Sequence, residues 1–228
     1  MKEMYDVLII GGGVVGSAMA RELSRYRLKI GVLEKNLDVC NETSGRNSGV
    51  VHGGFAYGRG SLKAKLCVEG NKMMGDLAKE LDFHFIRCGK VLVGNTEEDM
   101  ETLKRTMEQG KDNGATNLEL IDEKRLHELV PAVVGKFAMF SHNSGIVDPF
   151  GYTIALAENA HANGAEYHFG CEVTDISRDG DGNYCISTSG GTFYSRWVVN
   201  SSLSLCVLRM TVLRWAMAWA DMARHRFT

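Results

Sequence analysis

Residues 11–16 read Gly-Gly-Gly-Val-Val-Gly and fit G-x-G-x-x-G, with Gly11, Gly13 and Gly16 at the fingerprint positions. Three missing side chains at this spacing suit a diphosphate. Gly11 allows a tight turn, Gly13 lets a pyrophosphate approach the backbone, and Gly16 lets the following helix pack close to its strand. The amides at the helix mouth, those of Val14 and Val15 among them, and the positive end of the helix dipole favour an anion without a basic side chain. Glu34 then stands at the expected distance of about 20 residues from the first glycine. A carboxylate there accepts both hydroxyls of an adenosine ribose and repels a 2′-phosphate, which argues against NADP. Lys35, the next residue, joins these positions as a candidate cofactor contact.

Spacing alone does not choose between FAD and NAD, because both lay an ADP moiety on the same unit. Residues 42–54 favour FAD. They read Glu-Thr-Ser-Gly-Arg-Asn-Ser-Gly-Val-Val-His-Gly-Gly, rich in glycine and small polar side chains where an NAD enzyme more often begins a regular helix. The pattern T-S-x-x-N-S-G-x-V-H-G-G, followed by Gly60-Ser61-Leu62-Lys63-Ala64-Lys65-Leu66-Cys67, resembles the anaerobic-type glycerol-3-phosphate dehydrogenases and the L-2-hydroxyglutarate oxidoreductases. Both belong to the D-amino-acid-oxidase-like (DAO) flavoproteins. The likeness continues through Gly89–Val93, Ser144–Pro149 and Ala155–Ala160, and so covers residues 1 to about 200.

That resemblance implies FAD as cofactor. It implies that Thr43 and Ser44 hydrogen-bond the pyrophosphate, that Asn47, Ser48 and Gly49 lie against the flavin ring, and that the Val173 backbone meets the adenine end. It brings His52 to the reactive face, which makes His52 and Asn47 the candidate catalytic residues. A satisfied structural histidine is the alternative for His52, since geometry comes before pKa in naming an acid or base. Lys63 and Arg46 are weaker candidates for holding a substrate phosphate or carboxylate, because most such side chains are simply solvated.

The elements that must position these residues follow from periodicity. Tyr5–Ile10 reads as a buried parallel strand, Ser17–Tyr26 as a helix and Leu28–Leu33 as a second strand. Ser61–Leu81 has helical spacing, with Leu62, Leu66, Met73, Met74, Leu77 and Leu81 expected in the core. Val91–Val93 reads as a strand, Glu97–Lys111 as a charged helix, and Asp122–Leu129 as a short helix stopped by Pro131. Asp148 and Pro149 mark another helix start, with Ile154–Ala162 as its apolar face and Gly164 as its end. Glu166–Phe169 and Glu172–Ile176 fit strands, and Asp179-Gly180-Asp181-Gly182-Asn183 reads as a hairpin turn rather than a calcium loop.

The expected fold class is α/β: a Rossmann-like FAD-binding βαβ domain with an inserted α+β substrate domain, lacking the C-terminal half of the family pattern. Residues 1–80 and 146–200 form the nucleotide domain, 81–145 the insertion, and 201–228 an atypical tail. In that tail Ser201-Ser202-Leu203 stands where the family has Ala-Ala-Gly. Tryptophans and arginines crowd residues 197–228, which suggests out-of-frame or misassembled coding sequence in a fragment of a longer enzyme. Arg209 and Arg214 interrupt its apolar stretch, so a transmembrane anchor is not expected, and a poorly packed surface helix or disorder is the expectation.

A formal charge of −2 over 228 residues offers no broad field for nucleic acid or anionic lipid. The six cysteines lie far apart, form no metal-binding pair and read as buried reduced thiols; no metal is expected. No signal peptide is apparent, which places the chain in the cytoplasm, with a peripheral membrane position open to the intact enzyme. The implied reaction oxidises a small hydroxy substrate, sn-glycerol 3-phosphate first and L-2-hydroxyglutarate second. Electrons would pass to a quinone or a redox partner. A non-catalytic remnant that keeps nucleotide binding, or an interaction module, is the rival from another class, and an NAD dehydrogenase is a third reading.

Overall fold

The computed structural model describes residues 3–202. The tail beyond Ser202, and the expectations that fall on it, lie outside the described residues. The chain opens with β1 (Met4–Ile10), α1 (Val14–Leu23), β2 (Ile30–Leu33) and a 3₁₀ turn at Thr43–Gly45. There follow β3 (Val50–Val51), α2 (Leu62–Leu81), β4 (Phe85–Ile86), β5 (Lys90–Gly94) and α3 (Glu97–Asp112). Next come β6 (Leu118–Asp122), α4 (Glu123–Leu129), β7 (Phe137–Ser141) and β8 (Gly145–Val147). The last described elements are α5 (Pro149–Ala162), β9 (Glu166–His168), β10 (Val173–Arg178), β11 (Tyr184–Thr188) and β12 (Gly191–Asn200).

Two compact units result. Of the described residues, the first joins 3–46 to 149–202, and the second is Asn47–Asp148, so α2 is housed in the second unit. The first unit holds a six-stranded sheet in the order β10-β11-β12-β1-β2-β9. Strands β12, β1, β2 and β9 run parallel, and β10 and β11 extend the sheet antiparallel from β12. Both faces of β1 are covered, which is why its run is apolar without alternation. Val7 and Ile9 pack with Ala20 of α1 and Ala160 of α5 on one face, while Tyr5 and Leu8 pack with Leu33, Cys171 and Ile186 on the other. Burial of a large apolar side chain of this kind stabilises by about 1.5–3 kcal/mol. Arg21 Nε donates to Asn159 Oδ1 at 3.0 Å and ties α1 to α5.

The second unit builds two three-stranded sheets, β3-β8-β4 and β5-β7-β6, both antiparallel. Phe55, Val68 of α2, Leu103 of α3, Ala115 and Met139 of β7 form its main core. Thr96 and Asp99 make a reciprocal capping box at the start of α3, and Asp122 caps α4 through the Arg125 amide.

Two expectations need correction. The Leu and Met stripe of α2 is not the buried face: Leu62 is 70% exposed, Met73 64% and Leu66 56%. The buried positions are Ala64, Val68, Asn71 and Ala78. Small side chains let the helix approach closely there, and Asn71 Nδ2 reaches the carbonyls of His52 (3.0 Å) and Asn143 (2.9 Å). Nor are all the thiols buried. Cys40 and Cys171 are, Cys67 and Cys185 are half-buried, and Cys88 is exposed in the turn before Gly89. The Asp179–Asn183 segment is a hairpin turn between β10 and β11, with Asp179 Oδ1 accepting the amides of Asp181 and Asn183.

Candidate functional site

The glycine turn leaves β1 and enters α1 within three residues. Gly11 has φ +103°, a conformation that an L side chain rarely adopts. At Gly16 a Cβ would collide with the Gly11 carbonyl oxygen, so the helix closes directly onto the turn. Gly13 is the helix N-cap and offers no side-chain cap. A Cβ on Gly13 would lie 2.8 Å from Ser44 Oγ, in the space at the helix mouth. Ser44 Oγ accepts the Val14 amide at 3.0 Å. The α1 mouth therefore combines main-chain donors, a hydroxyl and a lining without side chains, the chemistry of an anion cradle.

Glu34 directly follows β2 and is only 7% exposed. One carboxylate oxygen accepts the Gly12 amide at 2.7 Å, and the other accepts the Asn36 amide and Nδ2, both at 2.9 Å. The carboxylate faces the glycine turn, and a Cβ on Gly12 would touch it at 3.3 Å. Lys35 turns away to an exposed ion pair with Glu42 (3.0 Å), and Thr43 is exposed on the 3₁₀ turn. The segment ahead of Val173 reaches the same strand end: the Cys171 amide donates to the Glu34 carbonyl at 2.8 Å, and Val173 packs against the Leu33 cluster. Thus Gly11, Gly13, Val14, Val15, Gly16, Glu34, Ser44 and Val173 gather in the first unit around the ends of β1 and β2.

Two contacts here were not singled out from the sequence. Gly12, an x position of the fingerprint, holds the carboxylate. Ser201 Oγ donates to the carbonyls of Ile10 (2.8 Å) and Gly11 (3.1 Å) and staples the end of β12 to the turn. Its only signal was a small polar residue at the position where the family turn belongs.

Asn47, Ser48, Gly49 and His52 fall in the second unit. Asn47 Oδ1 accepts the Gly49 amide at 2.8 Å, and the Gly49 carbonyl accepts the Val147 amide, which anchors this loop beside β8. Ser48 is exposed. The His52 ring is exposed and stands edge-on to Tyr57, with centroids 6.3 Å apart. Its backbone is held by Asn71 and by Cys67 Sγ, which donates to the His52 carbonyl at 3.3 Å. Partial burial, then the charges of Lys90 and Lys63, lower the His52 pKa from its ordinary 6.5. At neutral pH the imidazole is therefore mostly uncharged and able to accept a proton.

Comparison with known proteins places this geometry. The family described as FAD dependent oxidoreductase (DAO) matches residues 6–203. The chain belongs to the DAO family. It is 39% identical over 199 residues to the glycerol 3-phosphate dehydrogenase of Caloramator mitchellensis, covering 86% of this chain and 41% of that protein. Over 190 residues it is also 39% identical to the mitochondrial L-2-hydroxyglutarate dehydrogenase of Nematostella vectensis, covering 82% and 40%. The L-α-glycerophosphate oxidase of Mycoplasma pneumoniae, solved with FAD bound, superposes with a TM-score of 0.80 at 30% identity, covering 86% of this chain and 53% of that one. The chain thus spans about two fifths of the length of these curated relatives.

FAD is the cofactor of the DAO family, and the residues present fit its ADP half. The Gly13 space would be filled by a single Cβ, the α1 mouth offers amides, and the buried Glu34 carboxylate is oriented at the turn. Among the described residues no group of His, Cys, Asp or Glu has the arrangement of a metal site, and no helix is long and apolar enough to cross a membrane.

Proposed function

We propose that this chain is the nucleotide-binding part of an FAD-dependent dehydrogenase that oxidises a small secondary alcohol, with sn-glycerol 3-phosphate the first substrate. The observation that carries the reading is the buried carboxylate of Glu34 turned onto the glycine mouth of α1. There Gly11, Gly13 and Gly16 with the amides of Val14 and Val15 cradle the pyrophosphate, Thr43 and Ser44 hydrogen-bond it, and Glu34 takes the ribose. Lys35 stays in its ion pair with Glu42, and the Val173 backbone meets the adenine. Asn47, Ser48 and Gly49 border the flavin ring.

FAD supplies the hydride acceptor when bound. The chain's own task is to orient the donor carbon and to receive the hydroxyl proton. His52 performs the second, since its depressed pKa leaves a ring nitrogen unprotonated at neutral pH. Asn47 fixes the loop that carries Ser48 and Gly49 through its bond to the Gly49 amide. The electrons taken up by a bound FAD would leave to a quinone or a redox partner. L-2-hydroxyglutarate is the second substrate reading, supported by the equal identity to the Nematostella vectensis dehydrogenase.

The test is colour. We expect the purified chain to take up FAD and to keep a flavin spectrum through gel filtration. A folded protein that stays colourless in excess FAD would sink the assignment. Turnover of both substrates with a dye acceptor, in a full-length relative, separates the substrate readings.

A further inference from the structure

Two lysines in the second unit break local rules, and they do so around the same histidine. Lys63 is the second residue of α2, where the helix dipole disfavours a cation, and the first turn contains no acid to offset it. Instead of a carboxylate, Lys63 Nζ has the face of Tyr57 at 4.5 Å, and Tyr57 is the ring that meets His52 edge-on. One turn further along α2, Cys67 holds the His52 carbonyl, so both residues of this i, i+4 pair address the His52 loop.

Lys90 belongs to a different element. It is half-buried at the start of β5, in register with Ser141 of β7. Ser141 Oγ lies 3.0 Å from the position of a Cβ on Gly53, the residue after His52. Among the described residues neither lysine has a carboxylate partner, and both charges that act on the His52 ring are positive. A half-buried cation and a second cation at an unfavourable helix position, converging without an acid, cost stability and leave the local charge uncompensated. An anion would complete the set.

We propose that Lys63 and Lys90 form the recognition site for the anionic end of the substrate, holding a phosphate monoester or a carboxylate beside His52. Tyr57 acts as a platform that limits the freedom of the Lys63 side chain. This assignment rests on the dehydrogenase reading above for its substrate class, but anion binding is measurable without turnover. Neutral polyols then bind poorly, because they offer these two lysines no charge.

Calorimetric titration of the full chain at low ionic strength tests the proposal, with sn-glycerol 3-phosphate, L-2-hydroxyglutarate, inorganic phosphate and uncharged glycerol as probes. We expect the charged probes to bind and glycerol not to. Lys63→Gln and Lys90→Gln should each weaken the charged probes by about tenfold, the loss of one charge-assisted hydrogen bond, and Lys63→Arg should retain most of the binding. FAD uptake should be unchanged in all three, and neither glutamine variant should unfold at a lower temperature than the parent, since each removes an uncompensated charge. Binding should also raise the His52 pKa followed by NMR, a response that a purely structural lysine would not produce. The tighter of the two organic probes identifies the source of the anion. The proposal fails if no charged probe binds the unmodified chain, or if both glutamine variants bind like the parent. Failure of FAD uptake with normal anion titration would instead overturn the flavoenzyme reading and leave this site standing.

Discussion

Glu34 accepts from the Gly12 amide and from the Asn36 amide and Nδ2, and on our reading it also takes the ribose, so its removal should be felt in both stability and binding. Glu34→Ala leaves a buried N–H without its acceptor, which costs about 1–3 kcal/mol of stability in urea unfolding, and FAD affinity should fall by at least about tenfold in a flavin-fluorescence titration. Gly13→Ala separates the two effects. Its φ of −76° suits alanine, but the added carbon meets Ser44 Oγ in the cradle, so the fold should survive while FAD uptake drops. His52 gives a pH signature. Its folded pKa lies below 6.5, so the unfolded chain binds the proton more readily. The contribution of His52 to stability is then present above the ordinary histidine pKa and lost as pH falls through the folded value. An NMR titration of His52 checks the direction, and Lys90→Gln should move the pKa upward.

At the scale of elements, Asn71 joins α2 to the His52 carbonyl and to the Asn143 carbonyl, and its Oδ1 accepts from Arg87 at 3.0 Å. Asn71→Ala should lower stability by about 1–3 kcal/mol, the cost of unsatisfied buried carbonyls, measured by the shift of the urea midpoint. This helix also shows where sequence reading stops. Its existence was legible from 3.6-residue spacing, but its buried face was not. Hydropathy favours Leu62, Leu66 and Met73, whereas Ala64, Val68 and Asn71 were selected by close approach and by a polar contact made only in the folded molecule. The βαβ opening was legible almost to the residue, because a doubly covered strand and a glycine turn impose local constraints on composition. Helix α1 begins at Val14, three residues before the expected start, since the apolar Val14 and Val15 sit at the glycine turn itself. Strands β3 and β4 are two residues each and carry no period to detect. Strands β6, β7 and β8 were equally missed, because their register is set by pairing with other strands: β6 with β7, β7 also with β5, and β8 with β3 and β4.

For the whole molecule, the division into two units sets an exchange experiment. Every candidate contact to the ADP moiety lies in the first unit, so ADP alone should slow amide exchange at residues 11–16 and 34–36 and leave Asn47–Asp148 unchanged. FAD, if Asn47, Ser48 and Gly49 border the flavin, should add protection there. The candidate catalytic residue, by contrast, was named only through resemblance, since an exposed histidine has no pattern of its own until Asn71, Tyr57 and two lysines surround it. The nucleotide mouth depends on the far end of the described chain as well. Strand β1 pairs with β12 from Met4↔Tyr194 to Ile10↔Asn200, and Ser201 bonds the turn that follows.

That pairing has a consequence in time. At a synthesis rate of about 5–20 residues per second, β1 leaves the ribosome roughly 10–40 s before the strand that covers its flank. Until then Val7, Leu8, Ile9 and Ile10 have only β2 beside them, an apolar ribbon with an open edge that invites chaperones or aggregation. Strand β1 thus waits for a partner made some 190 residues later, and slow translation of residues 47–190 would lengthen its exposure.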